Sequence, residues 1–215
     1  AWDEATTRGA LDTAARMVRH MDRLAGTRED DPQRRGKVRA FAARFVAAAF
    51  RRPLTEAQRK VCVDAFFAND SSPADALKRT VILALKSPRF LYPDLHSPEP
   101  DAHQIAARLA LLLWDSVPDR SLQVAIQSGN LKTPNHVRAQ ANRMMRDSRA
   151  RAKLQHFFQH WLELDKANAI DKNTEAFPEF NQHVVADLRQ SLRLFLDETR
   201  WSASGDHRDL LKADH

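Results

Sequence analysis

Glycine is scarce, with 5 in 215 residues. The chain has no phosphate-cradling glycine loop, no dinucleotide-binding fingerprint and no Gly-x-Ser-x-Gly nucleophile elbow. Cysteine is scarcer still. Cys62 stands alone, so no disulfide can form within the chain, and there is no Cys-x-x-Cys-His site for covalent c-type haem. It lies in the apolar run Val61-Cys62-Val63 and reads as a small core residue. No apolar run approaches the length of a membrane span. Residues 1–25 lack the apolar centre of a signal peptide. Val, Ile and Tyr are few beside Ala, Leu, Arg and Lys, a balance that favours helices over strands.

What is present is charge and a core's worth of apolar residues. Hydrophobic residues make up 43% of the chain, enough to bury a core. The 34 Lys and Arg exceed the 28 Asp and Glu, giving a net charge of +6. That balance permits contact with nucleic acid or an anionic surface. The two signs are interspersed, however, as on solvated helix faces, so nucleic-acid binding rests on charge alone and ranks last.

Helix starts are written in the caps. Thr55-Glu-Ala-Gln58 is a capping box. Ser72-Pro73 and Thr133-Pro134 each place a hydroxyl cap before a first-turn proline. Ser148 is expected to cap a helix running to about Leu164, and another helix to follow Phe177-Pro178-Glu179. Apolar stripes at helical spacing support these elements. They comprise Leu11, Ala14, Ala15, Val18 and Leu24; Phe41, Phe45, Ala48 and Ala49; and Ile105, Leu109 and Leu112. Leu154, Phe157, Phe158, Trp161 and Leu162 form a fourth, and Phe180, Val184, Leu188, Leu192, Phe195 and Thr199 a fifth. No segment alternates at period two for long enough to be a strand.

The expected fold is all-α, in two packed helical units joined by a proline-rich connector. Pro88, Pro93, Pro98 and Pro100 mark that connector as stiff and non-helical, dividing residues 1–93 from 94–215. A second irregular stretch, Lys166 to Pro178, interrupts the latter unit. Trp114 and Trp161 end or ride apolar stripes and are expected to be core anchors.

Three constellations could carry chemistry. His156-Phe-Phe-Gln-His160 with Glu163 places two imidazoles and a carboxylate at spacings of four and three, one face of a helix, where a divalent metal could bind. It is not the His-Glu-x-x-His of zinc proteases. The plainer alternative is two histidines on a solvated face. Arg143, Arg146, Arg149, Arg151 and Lys153 form a basic cluster that could face phosphates, but Asp147 breaks it and the nearby aromatics follow the core stripe. Arg34, Arg35, Lys37 and Arg39 are read in the same way. Asp115 with Asp119, and Asp197 with Glu198, are carboxylate pairs without a context that fixes an acid/base geometry.

The order of short motifs points to a family. They are Ala107-Arg-Leu, Leu113-Trp114-Asp-Ser-Val-Pro118-Asp119 and Gly129-Asn-Leu131, followed by Gln140-x-x-Arg143-Met-Met-x-Asp147-Ser-Arg149. Phe157-Phe158-x-x-Trp161-Leu162-x-Leu164, Phe177-Pro178-Glu179-Phe180, Glu198-Thr199 and Asp209-Leu-Leu-x-Ala-Asp214 continue the series. Through these, residues 101–215 resemble a helical domain of unknown function found in large, exported planctomycete proteins. Residues 38–93 look like a companion domain that precedes it. That likeness is carried by Phe45-x-x-x-Ala49-Phe50-Arg51-Arg52-Pro53-Leu54-Thr55, Ala76-Leu77 and Ser87-Pro88-Arg89-Phe90-Leu91-Tyr92.

The resemblance implies an exported or periplasmic multidomain protein often fused to a c-type cytochrome module. This chain would hold no cofactor itself, and haem would lie in another domain of the parent. Its partners would be those other domains, and its role that of a scaffold or interaction region. Any export signal would then lie upstream, and the chain would be one part of a longer protein, truncated at its C-terminal end. An alternative is part of an oxidoreductase with a site between the two helical units. Arg51, Arg52, Trp114 and Arg143 are its candidate ligand-binding residues, since they fall inside the motifs and carry polar or aromatic chemistry. Arg51 and Arg52 could equally pin the proline turn or pair with nearby acids. His160 stands where the family has glutamine, which weakens the metal reading.

Overall fold

In the computed structural model, residues 2–68, 72–93, 99–164, 166, 170, 172–173, 175–201 and 208 are described. Among them every regular element is helical, so the chain is all-α. No helix among them is long and apolar enough to cross a membrane. The motif Asp209–Asp214 and the Ser97-Pro98 part of the connector lie outside the described residues.

The chain divides into two compact units, Ala1–Met145 and Arg146–His215. The first contains α1 (Trp2–Arg19), α2 (Met21–Ala25), α3 (Arg34–Ala49), α4 (Glu56–Arg59), a π-helical turn (Lys60–Asp64), α5 (Ala65–Phe67) and α6 (Pro73–Lys86). It continues with α7 (Pro88–Leu91), α8 (Ala102–Trp114), α9 (Arg120–Gln127) and α10 (Pro134–Met145). The compact division therefore falls after Met145 rather than at the connector. Across the connector, Arg52 Nη2 donates to Asp101 at 2.8 Å and ties the end of α3 to the cap of α8.

Local chemistry sets the helix starts. The Thr55 hydroxyl and the Gln58 amide cap each other's backbones as expected, and Ser72 accepts from the Asp75 N–H ahead of Pro73. Asp101 and Gln104 form a second capping box that the sequence reading did not use. Pro88 does not break the chain. With Ser87 as cap it takes the first position of α7, where its missing N–H costs nothing.

The core of this unit lies where α6 packs on α1 and α3. Leu77, Val81, Val38, Ala42, Val46 and Ala14 are fully buried there. The buried faces of α1 and α3 are rotated by about one residue from the expected stripes. Ala10 and Ala14 face inward while Leu11 is exposed, and Val38, Ala42, Val46 and Ala49 face inward while Phe41 and Phe45 pack at the flank. Small side chains allow close helix approach, so the narrow face wins over the bulkier one. On α8, Leu109 and Trp114 are buried as expected, but Leu112 is exposed. Cys62 is half-buried against the core as a free thiol, and burial pushes its pKa up despite the nearby Arg89.

The second unit contains α11 (Ser148–Trp161) and α12 (Gln182–Arg200). Asp147 caps α11, one residue before the expected Ser148, because its carboxylate accepts from the Arg149 N–H at 2.9 Å. Asn181 caps α12. Phe158, Leu192 and Leu196 line a cleft of about 280 Å³ between these helices. Trp161 is not a core anchor. It is 60% exposed and stacks on the exposed Phe157, one turn back, with ring centres 5.9 Å apart. Leu188 is likewise exposed, and the inner face of α12 runs through Val185, Leu192 and Leu196.

Candidate functional site

The four candidate ligand-binding residues separate into two groups, both within the first unit. Trp114 and Arg143 belong to a structural lock. α8 ends at Asp115, whose φ of 50° turns the chain toward α9. Trp114 stays buried, and its indole N–H donates to the Met144 carbonyl of α10 at 3.0 Å. Asp119 caps α9 through the Leu122 N–H. The same carboxylate receives the Arg143 guanidinium in a fork, at 2.9 and 3.2 Å. Arg143 Nε donates to Gln140, and the guanidinium carbon lies 5.5 Å from the centre of the Trp114 ring. Three helices are fastened by one charge, and a fork on a carboxylate is the geometry arginine serves best. Asp115 and Asp119 are therefore helix-terminus residues rather than an acid/base pair.

Arg51 and Arg52 lie elsewhere, on the wall of a cleft of about 730 Å³. The chain reaches it through a Schellman turn at the end of α3. The Arg51 N–H bonds the Ala48 carbonyl and the Arg52 N–H bonds the Ala47 carbonyl, each at 3.1 Å. That motif needs a left-handed residue and usually takes glycine, with proline soon after. Here the residue is Arg51, at φ 60°, followed by Arg52 and Pro53. An L-residue in this conformation costs about 1 kcal/mol relative to glycine.

The two guanidiniums have different partners. Arg52 is paired with Asp101. Burial raises the Asp101 pKa, but the Gln104 backbone amide and the Arg52 and His103 charges outweigh it and hold the carboxyl below its usual value. Arg51 has no carboxylate partner among the described residues. Its Nη1 makes two long bonds to the Ala49 and Phe90 carbonyls, at 3.3 and 3.4 Å, and its carbon lies 5.4 Å from the Phe90 ring centre. Its buried Nε has no hydrogen-bond partner there. Burial alone pulls its pKa below the ordinary arginine value.

The rest of the cleft comes from residues that the sequence reading missed. Arg44 and Ala48 come from α3, His103 from the first turn of α8, Pro118 from the turn before α9, and Gln123 and Ile126 from α9. No Asp or Glu lines it among the described residues. Arg51, Arg52 and His103 also line a smaller neighbouring cleft of about 380 Å³.

The remaining candidates disperse. Among the described residues no three His, Cys, Asp or Glu side chains come together to hold a metal. His156 and His160 are exposed on α11, but the helix ends at Trp161. Glu163 lies beyond that end at φ 52° and pairs with Lys166 at 2.6 Å, so the spacing of three no longer places it on their face. The basic cluster is spread over separate contacts. Arg143 is on Asp119, Arg149 on Asp147, and Arg151 lies over the Trp201 ring at 4.8 Å. The earlier basic run is held similarly, with Arg34 on Asp22, Arg35 on the Phe67 carbonyl, Lys37 on Asp31 and Arg39 on Asp64.

Comparison with known families gives two matches. Residues 101–215 match PSD4, a protein of unknown function (DUF1592). The chain belongs to the PSD4 family. Residues 37–93, ahead of the PSD4 segment, match PSD5, also a protein of unknown function (DUF1595). No curated protein and no solved structure matches the chain. The two matched segments meet at the proline-rich connector. The lock lies within the PSD4 segment, whereas the cleft is built from both: Arg44, Arg51 and Arg52 from the PSD5 side, and His103, Pro118 and Gln123 from the PSD4 side.

Proposed function

We propose that the chain is a structural and interaction region of a larger, exported protein linked to a c-type cytochrome module, and does not itself perform the redox chemistry. The observation that carries this reading is the engagement of the motif residues. Trp114, Arg143 and Asp119 fasten α8, α9 and α10 together, and Arg52 and Asp101 fasten α3 to α8. Residues spent in this way position a framework. The test is the absorption spectrum of the full-length parent purified from its host, beside that of this chain. The reading expects c-type haem bands in the parent and none in the chain. Covalent haem on the chain, or no haem in the parent, overturns it.

A second reading, part of an oxidoreductase with its site where the two matched segments meet, draws on the cleft, which Arg51 and Arg52 both line. It expects Arg51→Gly to lower the parent's redox turnover with the haem spectrum unchanged.

A further inference from the structure

We infer that the cleft walled by Arg44, Arg51, Arg52 and His103 binds a small organic anion, with its charged head on Arg51 and its apolar body against Pro118 and Ile126. The inference stands apart from the cytochrome-linked reading and survives its failure.

Charge is the first reason. Three arginines and a histidine line one cleft, and no Asp or Glu lines it among the described residues. Asp101 neutralises Arg52, and the described residues offer no carboxylate to Arg44 or Arg51. A partly buried guanidinium without a counter-ion is costly in the free protein and gains most from an anion that reaches it.

Arg51's backbone is the second reason. A Schellman turn is relaxed with glycine, and Arg51 occupies it at φ 60°. Strain of this kind persists where the side chain is needed or the surroundings compel it. The guanidinium's contacts do not compel it, because two long carbonyl bonds leave the buried Nε N–H unused. Protein closes off Nε itself, so Nη2, which makes no hydrogen bond among the described residues, is the donor left for a carboxylate or a phosphoryl group.

Shape is the third reason. At about 730 Å³ the cleft has the size of a small-molecule site, with apolar walls and a few polar groups to orient a ligand. Gln123 and Gln127 supply amides that can bond a hydroxyl or carbonyl on the ligand body. A bare inorganic ion would leave most of the wall uncovered, so an organic anion fits better.

The test is calorimetric titration of the whole chain at low salt with 2-naphthoate, naphthyl phosphate and the neutral 2-naphthalenemethanol. Either anion should bind at least tenfold more tightly than the neutral analogue, and the tighter of the two identifies the head group as carboxylate or phosphoryl. Arg51→Gly, which keeps the turn and removes the cation, should weaken the anion at least tenfold. Arg8→Ala, which removes a comparable charge from α1, should leave its affinity unchanged. Thermal melting of Arg51→Gly guards against simple misfolding. Equal binding of the neutral analogue, undiminished binding by Arg51→Gly with its melt intact, or no binding of either anion at millimolar concentration overturns the inference. Should Arg51→Gly fail to melt cooperatively, Arg51→Asn, which also tolerates the left-handed turn and carries no charge, replaces it. Retention of the anion's full affinity by Arg51→Asn also overturns the inference.

Discussion

Residue 51 allows a stability prediction in which most of the uncertain quantities cancel. Arg51→Ala and Arg51→Gly remove the same side chain: two carbonyl bonds at 3.3 and 3.4 Å and one cation–π contact at 5.4 Å. They differ only in the backbone left behind at φ 60°. Alanine keeps the clash between Cβ and the carbonyl, and glycine removes it, a difference of about 1 kcal/mol in the folded state. Glycine's freer unfolded chain returns part of this, so Arg51→Gly should exceed Arg51→Ala in stability by about 0.5–1 kcal/mol. For a chain of this size that is a melting-temperature difference of about 1–2 °C. Against the parent, Arg51→Gly should be close to neutral, because relief of strain offsets a cation–π contact worth about 0.5–1 kcal/mol. Urea unfolding and thermal melting, followed by helical circular dichroism, read both comparisons. If Arg51→Ala proves as stable as Arg51→Gly, residue 51 does not hold the left-handed position, and the strain argument fails with it.

Further consequences follow from the packing and the ion pairs. Leu77 is fully buried on α6, so Leu77→Ala should cost about 2–5 kcal/mol in urea unfolding. Trp161→Ala should cost about 1 kcal/mol, the value of an aromatic stack, because its ring is largely exposed; a loss on the scale of Leu77→Ala would return Trp161 to the core. Arg143→Ala should cost about 1–2 kcal/mol by breaking the fork on Asp119, and Arg143→Lys should recover little of it. Asp31 is held at about 2 by Lys37, the Gln33 N–H and the Thr27 hydroxyl, below the ordinary 3.8. Its contribution is therefore present above pH 4 and lost as pH falls through about 2. The melting-temperature gap between the parent and Asp31→Asn should close over that window, and a carboxyl titration with its midpoint at or above 3.8 would contradict the three contacts.

Helix class and helix starts were legible because they depend on a few adjacent residues. Thr55 with Gln58, Ser72 before Pro73, and Thr133, whose hydroxyl accepts from the His136 N–H, all act as the sequence implied. Which face is buried was less legible, because a neighbouring helix decides it. Ala10, Ala14, Val38 and Ala42 allow close approach, a benefit invisible until α6 lies against them. The π-helical turn at Lys60–Asp64 has no side-chain cap to mark its start. Extending the helical register through Glu163 failed because the helix ends first. Of the cleft, Arg51 and Arg52 were named from their motif, and Pro53, two residues past Arg51, was a legible sign of the left-handed turn. Arg44, His103 and Gln123 have no shared spacing, and only tertiary packing assembles them.

On the proposed reading the motif cations divide between framework and cleft: Arg143 holds helices together, and Arg51 binds an anion. The most direct measurement is a thermal-shift titration with 2-naphthoate on the parent chain, Arg143→Ala and Arg51→Gly. Arg143→Ala should melt lower and still be stabilised by naphthoate as the parent is, while Arg51→Gly should melt near the parent and gain little from naphthoate. If both variants lose the same property, whether stability or response to the anion, the division is wrong.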